Sequence, residues 1–398
     1  MKLRKDFVVL PTLRSNDDQS LEKRSDWLEL LYDLIFVAAI SQIALNLSAN
    51  YTPITFLESI PLFFAIWWGW SGHTFYLDRF GTDDILNRAL TMLQMVVVAS
   101  LAVNVRNALT TTGEGFAISY AVLRFILVAQ YVKVGRNLPD ARPLTRRYSI
   151  GFGIAATIWL ISAFIPAPYR FVLWGVALFV DFLTPFRAGD LHINFPTHPT
   201  HLPERFGLFT IIVIGEAIVS VVLAISNVGF NIYTAIIGLM GLLISFSIWW
   251  GYFEEAGGAE ARVQERGDQI VKYQLWIYSH FPLLLGIVGA AAGIKHVLML
   301  SYGSELSSID TWIMCISLAV ALLSLSLIFI SSFRWDDCKS RLLLIFRIPY
   351  YLIILLVLLT GFLGTILPGF LVRVILTVLC IAKDLISLRE IPDEICNL

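Results

Sequence analysis

Charge is what this sequence has least of. Only 15% of its residues are Asp, Glu, Lys or Arg, against 57% that are hydrophobic, where a soluble domain carries roughly a quarter charged residues. A water-facing surface cannot be covered with so few charges, whereas a lipid-facing one needs almost none. The net charge of −1 gives no global field that would draw nucleic acid or an acidic partner. Cysteine is scarce as well. Cys315, Cys338, Cys380 and Cys396 form no CxxC or metal-like spacing, which points to buried thiols rather than a disulfide framework or a metal site. No P-loop, GxSxG elbow, HExxH or Rossmann glycine set is present, so an ATP-driven pump and the common hydrolases and oxidoreductases have no motif here. Low-complexity tracts and long linkers are also missing, and no soluble domain is expected beside the apolar part. The apolar stretch at residues 7–10 is too short for a signal-peptide core. Residues 1–27 read as a polar cytosolic leader.

What is there in abundance is apolar sequence in long runs. A bilayer core of about 30 Å asks for about 20 apolar residues per helix. Runs on that scale predict spans at 28–48, 54–77, 88–108, 116–134, 149–165, 169–185, 205–226, 231–253, 271–294, 311–333, 343–365 and 368–388. The fifth and sixth are short and separated only by Pro166-Ala-Pro168-Tyr-Arg170, which suits a tilted or partly re-entrant hairpin as well as two crossings. With twelve spans, 24 of the 29 Lys and Arg residues fall on one side. Only Arg106, Arg170, Lys295 and Arg373 fall on the other, and Arg124 lies inside a span. The positive-inside rule then places both termini in the cytosol. A missed or invented span would scramble that partition from its position onward. The expected fold is all-α, a polytopic transmembrane bundle.

The two halves carry similar marks in the same order. Residues 28–190 hold Glu29 and Asp33, then Trp67-Trp68-Gly69-Trp70 at the end of the next helix, then Asp83-Asp84 and Arg88. Residues 191–398 hold Glu204 and Glu216, then Trp249-Trp250-Gly251-Tyr252, then Asp268 and Lys272. Six spans per copy is an even number, so the copies would share one orientation, a parallel repeat. Tryptophan pairs at helix ends are also ordinary interfacial anchors.

The segment Leu28-Glu29-Leu-Leu-Tyr32-Asp33-Leu-Ile-Phe36-Val-Ala-Ala-Ile40-Ser resembles the opening signature of the bacterial low temperature requirement A (LtrA) family. His201-Leu-Pro-Glu204-Arg205-Phe206-Gly207-Leu-Phe209 with Gly215-Glu216 is similar to that family's second signature, and the WWGW and Tyr278-Ser-His280-Phe-Pro segments fit it too. Leu30-Leu31 and Ala217 depart from the usual aromatic and Ser. The resemblance implies a multi-pass membrane protein and carries no biochemical activity with it.

Ionisable groups inside lipid cost roughly 2.5–3.5 kcal/mol each at the bilayer centre, so the few present are where function is sought. Glu216 stands about halfway along the seventh span, with Ser220 and Ala224 continuing its face. Asp33 and Glu29 share a face of the first span at i and i+4, with Glu29 placed to meet the helix dipole. Each acid reads either as a proton- or cation-binding carboxylate or as a structural partner, for instance of Arg124. Gln94, Gln130 and Gln274 extend a polar interior. His192, His198, His201 and Glu204 crowd one connection, but Pro196, Pro199 and Pro203 deny them a regular ligand spacing. No metal or other cofactor is expected. His201, His73, His280 and Arg205 read instead as polar or counter-charge support.

Three functions compete. The first is a secondary transporter or ion-translocating protein of the cell membrane, in which Asp33 and Glu216 exchange protons or cations and Arg124 tunes them. A channel is its near variant: the first span resembles, by fold analogy alone, the Phe-Ser-Asp helix of a duplicated six-span potassium channel family. The second is a sensor or scaffold without flux, its basic connection at 133–147 meeting anionic lipid or a partner. An intramembrane enzyme is the third. Glu204 and Glu216 are separated by about 18 Å along one helix, so no catalytic residue is assigned and no enzyme is expected. The bilayer and a small ion or solute are the expected partners, not nucleic acid.

Overall fold

The computed structural model describes residues 26–82, 84–192, 194–257, 270–299, 307–332, 347–364 and 366–388. The leader up to residue 25, Cys338, Cys396, Asp83, Asp268 and six counted basic residues, Arg262, Arg266, Arg334, Lys339, Arg341 and Arg389, lie outside the described residues.

Among the described residues every regular element is helical. Long helices follow one another as α1 Trp27–Ala49, α2 Pro53–Phe80, α3 Ile85–Val105, α4 Gly113–Asn137, α5 Arg142–Ser162 and α6 Tyr169–Ala188. They continue as α7 His201–Val228, α8 Ile232–Trp250, α9 Ile270–Met299, α10 Ser308–Ser332, α11 Ile348–Leu363 and α12 Gly369–Ser387. A helix overlies each of the twelve apolar runs. Eight of them, α1, α3, α4 and α6 to α10, have the length and apolarity to cross a bilayer. α11 is apolar but shorter. Helix is the form such runs take in lipid, where each backbone N–H and C=O must be satisfied within its own segment. Their outer faces suit lipid: Val96, Val103, Val172 and Phe179 are each more than 60% exposed, a surface that water penalises and acyl chains accept.

Local chemistry sets the helix ends. Asp84 caps α3, its Oδ1 accepting from the Asn87 N–H at 2.7 Å. Asn231 and Thr234 form a capping box at the start of α8. Arg170, in the first turn of α6, closes the end of α5: its Nε–H donates to the carbonyls of Ser162 and Ile165, and Nη2–H to that of Ala163. The short connection between the fifth and sixth runs thus joins two separate helices of 21 and 20 residues.

The chain divides into two compact units, one built mainly on 26–43 and 61–205, the other on 44–60 and 206–388 in their described parts. In the first, α4 packs against α3 and α5, and α5 against α6. Tyr76, Phe80, Tyr131, Tyr148 and Phe152 form an aromatic core there. The WWGW motif is part of that interior: α2 runs on to Phe80, and Trp67, Trp68 and Trp70 are buried rather than at a helix end. In the second unit α8 packs against α12, and α11 against α10 and α12. After its WWG motif α8 widens into a π-helical turn, Gly251–Glu255.

Candidate functional site

In the first unit, the start of α1 and the first turn of α7 bring complementary charges into register. On α1, Glu29 and Asp33 occupy i and i+4; on α7, His201 and Arg205 do the same, so each helix presents two ionisable groups on one face. The guanidinium of Arg205 reaches both acids, Nη1 lying 2.9 Å from Glu29 Oε2 and Nη2 2.6 Å from Asp33 Oδ1. Trp70 of α2 donates its indole N–H to the same Asp33 oxygen at 2.7 Å. His201 lies between two carboxylates, with Nε2 3.0 Å from Glu29 Oε2 and Nδ1 2.8 Å from Asp78 Oδ1. The other oxygen of Asp78 accepts the backbone N–H of His198 at 2.7 Å. All five ionisable side chains are buried. Isolated burial of any of them would cost several kcal/mol, which mutual pairing offsets. An imidazole with a carboxylate at each nitrogen is satisfied by both N–H groups or by a proton on one acid.

A neutral polar chain leads away from this cluster. Tyr32 donates to Gln94 at 2.9 Å, Gln94 to Gln130 at 3.0 Å, and Gln130 to Asn87 at 3.4 Å. Beyond Asn87 stands Asp84, paired with Lys133 at 3.4 Å. His73 packs its ring on Tyr32, centroids 4.5 Å apart.

Deeper in α4, Arg124 pairs with Asp181 of α6 at 2.8 Å. Tyr120 bridges them, donating to Asp181 at 3.0 Å and accepting from Arg124 at 2.9 Å. The guanidinium faces the rings of Tyr120 and Phe152 at 5.2 and 5.3 Å. Gly72 makes room for it, since a Cβ there would lie 2.5 Å from Arg124 Nη1. Several buried polar atoms of this interior have no hydrogen-bond partner among the described residues: Asp33 Oδ2, Arg205 Nε, both nitrogens of His73, Arg124 Nη1 and Asp181 Oδ1.

Four of the candidate residues thus meet in one network, Glu29, Asp33, His201 and Arg205, while His73 packs against Tyr32. Glu204 stands half-buried in the first turn of α7, where its charge suits the helix's positive end. Glu216 follows three turns along α7, half-buried and in the second unit. Of the pair expected to exchange protons or cations, Asp33 is held by Arg205 and Trp70 in the first unit. Arg124, expected to tune that pair, has Asp181 as its acid. His280, in the second unit, donates through Nδ1 to the Trp276 carbonyl of its own helix at 2.7 Å and accepts from Tyr252 at 2.9 Å, the latter bond joining α9 to the π-turn after α8. The side chains of the three crowded histidines do not converge on one point. His192 meets Arg79 and Pro185, His198 meets Thr200, and His201 the two acids.

Asp78 and Asp181 were not singled out by the sequence, and neither was the bond from Trp70 to Asp33 nor a second cluster in the second unit. There the fully buried Lys383 contacts Asp384 at 2.6 Å, Glu255 at 3.1 Å and the Ser247 carbonyl at 2.9 Å. Arg347 approaches Glu255 at 3.6 Å and lies over the Phe329 ring. The π-turn carries Glu255 into this cluster; such turns recur at functional sites.

Several apolar helices enclosing mutually neutralised charges define a multi-pass integral membrane protein with an ionisable interior. The chain belongs to the LtrA family: the family profile, described as bacterial low temperature requirement A protein, matches residues 24–383. It is also 27% identical over 295 residues to a protein of Rhizobium meliloti (strain 1021) named as uncharacterized, with 70% of each chain covered. No solved structure matches it.

Proposed function

We propose that this LtrA-family protein is a proton- or cation-translocating secondary transporter of the cell membrane, whose exchangeable proton resides on Glu29, His201 and Asp78. The observation that carries this reading is His201 held between two buried carboxylates at 3.0 and 2.8 Å. Proton transfer along that line needs no movement of heavy atoms. When Glu29 takes the proton, the guanidinium of Arg205 loses one of its two anions and is left to Asp33 alone. The α1–α7 contact then weakens, so occupancy and helix position become linked. The buried polar atoms without partners among the described residues support a hydrated path, since such groups ordinarily take water. In this reading the chain makes and breaks no covalent bond in its solute. A six-helix duplication with both termini cytosolic, the arrangement suggested by the repeated acids and WWG motifs, suits alternating access.

Proteoliposomes of purified full-length protein, loaded with a pH-sensitive dye, test it. Glu29→Gln and His201→Gln are expected to lower proton flux at least tenfold, while Glu216→Gln retains it. Undiminished flux in both network variants would overturn the relay. A second reading, a sensor or scaffold without flux, draws on Arg124 and Asp181, whose charges are spent on one another. Absence of wild-type flux under every ion and pH gradient applied would favour it.

A further inference from the structure

The end of α4 and the start of α5 enclose an open pocket of about 430 Å3 in the first unit, which the transport reading does not use. Arg136, Arg142 and Arg146 line it, together with Ser149, Val132 and Ile150. None of the three arginines is paired with a carboxylate among the described residues, and the Ser149 hydroxyl oxygen is buried without a hydrogen-bond partner. The first turn of α5 adds the positive end of a 21-residue helix. Three uncompensated guanidiniums, a spare hydroxyl and a helix N-terminus form an anion receptor, and arginine's planar fork suits phosphate. Apolar surface continues from it. Ile150 and Ile154 on α5 are 53% and 50% exposed, and Val122 and Phe125 on α4 are each 37% exposed. By helical spacing these residues extend the faces that carry Arg146 and Arg136. A ligand that is anionic at one end and aliphatic below satisfies both parts.

We infer that this pocket binds the phosphate headgroup of an anionic phospholipid, with its acyl chains lying along α4 and α5. The inference is independent of proton transfer through His201. Native mass spectrometry of the full-length protein, titrated with phosphatidylglycerol or phosphatidylcholine, tests it. Retention of phosphatidylglycerol over phosphatidylcholine is expected. A basic residue near an anionic headgroup contributes about 1 kcal/mol, roughly fivefold in affinity. Arg136→Gln/Arg142→Gln/Arg146→Gln should therefore lose about a hundredfold, and Arg106→Gln, an exposed arginine away from the pocket, nothing. If the triple variant does not fold, Arg146→Gln alone provides the comparison, with about a fivefold loss expected. Equal binding of the two lipids, or unchanged binding by the arginine variants, would overturn the site. Displacement by inorganic phosphate at matched concentration would also overturn the lipid assignment, because it would give the pocket to a soluble phosphate compound.

Discussion

Arg124 and Asp181 illustrate what a buried charge costs and how this protein offsets it. Each is wholly buried, and each is the other's counter-ion. Removing one partner leaves a bare charge in the helix interior, with a cost of about 3–5 kcal/mol. Replacing both by apolar groups of similar volume is often neutral. Arg124→Leu and Asp181→Leu should each lower the thermal unfolding midpoint in detergent by many degrees, and the double variant should recover most of the loss. Equal melting of a single variant and the wild type would show that the pair contributes nothing. At this scale the sequence was readable only in part. Glu29 and Asp33 on one face follow from i and i+4 spacing alone. That His201 and Arg205 face them is a tertiary fact, separated by 172 residues in chain, and no periodicity reports it. Asp78 lies just past the apolar run 54–77, outside the span drawn there, but α2 continues to Phe80. Asp181 fell inside the run 169–185 and carried the same signal as Arg124, an ionisable group within apolar sequence; it was legible and passed over.

Helix α2 shows how one element serves a site through its smallest residue. A Cβ on Gly72 would meet Arg124 Nη1 at 2.5 Å and a Leu127 methyl carbon at 3.1 Å. Gly72→Ala must therefore push the guanidinium from its seat, and overpacking of this kind costs about 1–3 kcal/mol. The loss of melting temperature should shrink when the same change is made in Arg124→Leu, since the clashing atom is then gone; equal losses in both backgrounds would mean that Gly72 serves something else. The π-turn after α8 makes the same point in the second unit. There a Cβ on Gly251 would stand 2.8 Å from Lys383 Nζ, so Gly251→Leu should evict the ammonium from Glu255. Lys383, fully buried in the wild type, should then react with an amine-labelling reagent, and peptide mass mapping would detect the adduct. Persistent protection would show that the lysine is held from elsewhere. The WWG repeat was visible in the sequence, but its two surroundings were not. One copy lies inside a long helix with all three tryptophans buried; the other ends a helix and opens the π-turn. Period and spacing report that a helix exists, while its extent and its widened turns depend on packing.

Across the whole molecule the charge partition and the helices constrain one another. Eight helices meet the length and apolarity of a crossing, while α2, α5, α11 and α12 fall short of that measure. Each carries ionisable groups near an end or is short, as with Arg142, Arg146 and Arg147 in α5 or Lys383 and Asp384 in α12. The 24-to-4 division of Lys and Arg holds only if all of them cross. If α5 alone failed to do so, Arg187, Arg205 and every later basic residue would change sides, and that asymmetry would vanish. Single cysteines placed at Arg106, Arg142, Arg170 and Arg187 in a cysteine-free background decide the matter. With an impermeant thiol reagent on intact cells, positions 106 and 170 should label and 142 and 187 should not until the membrane is opened. Labelling of 142 and 170 from the same side would remove α5 from the crossings and, with it, the shared orientation that a six-helix duplication needs.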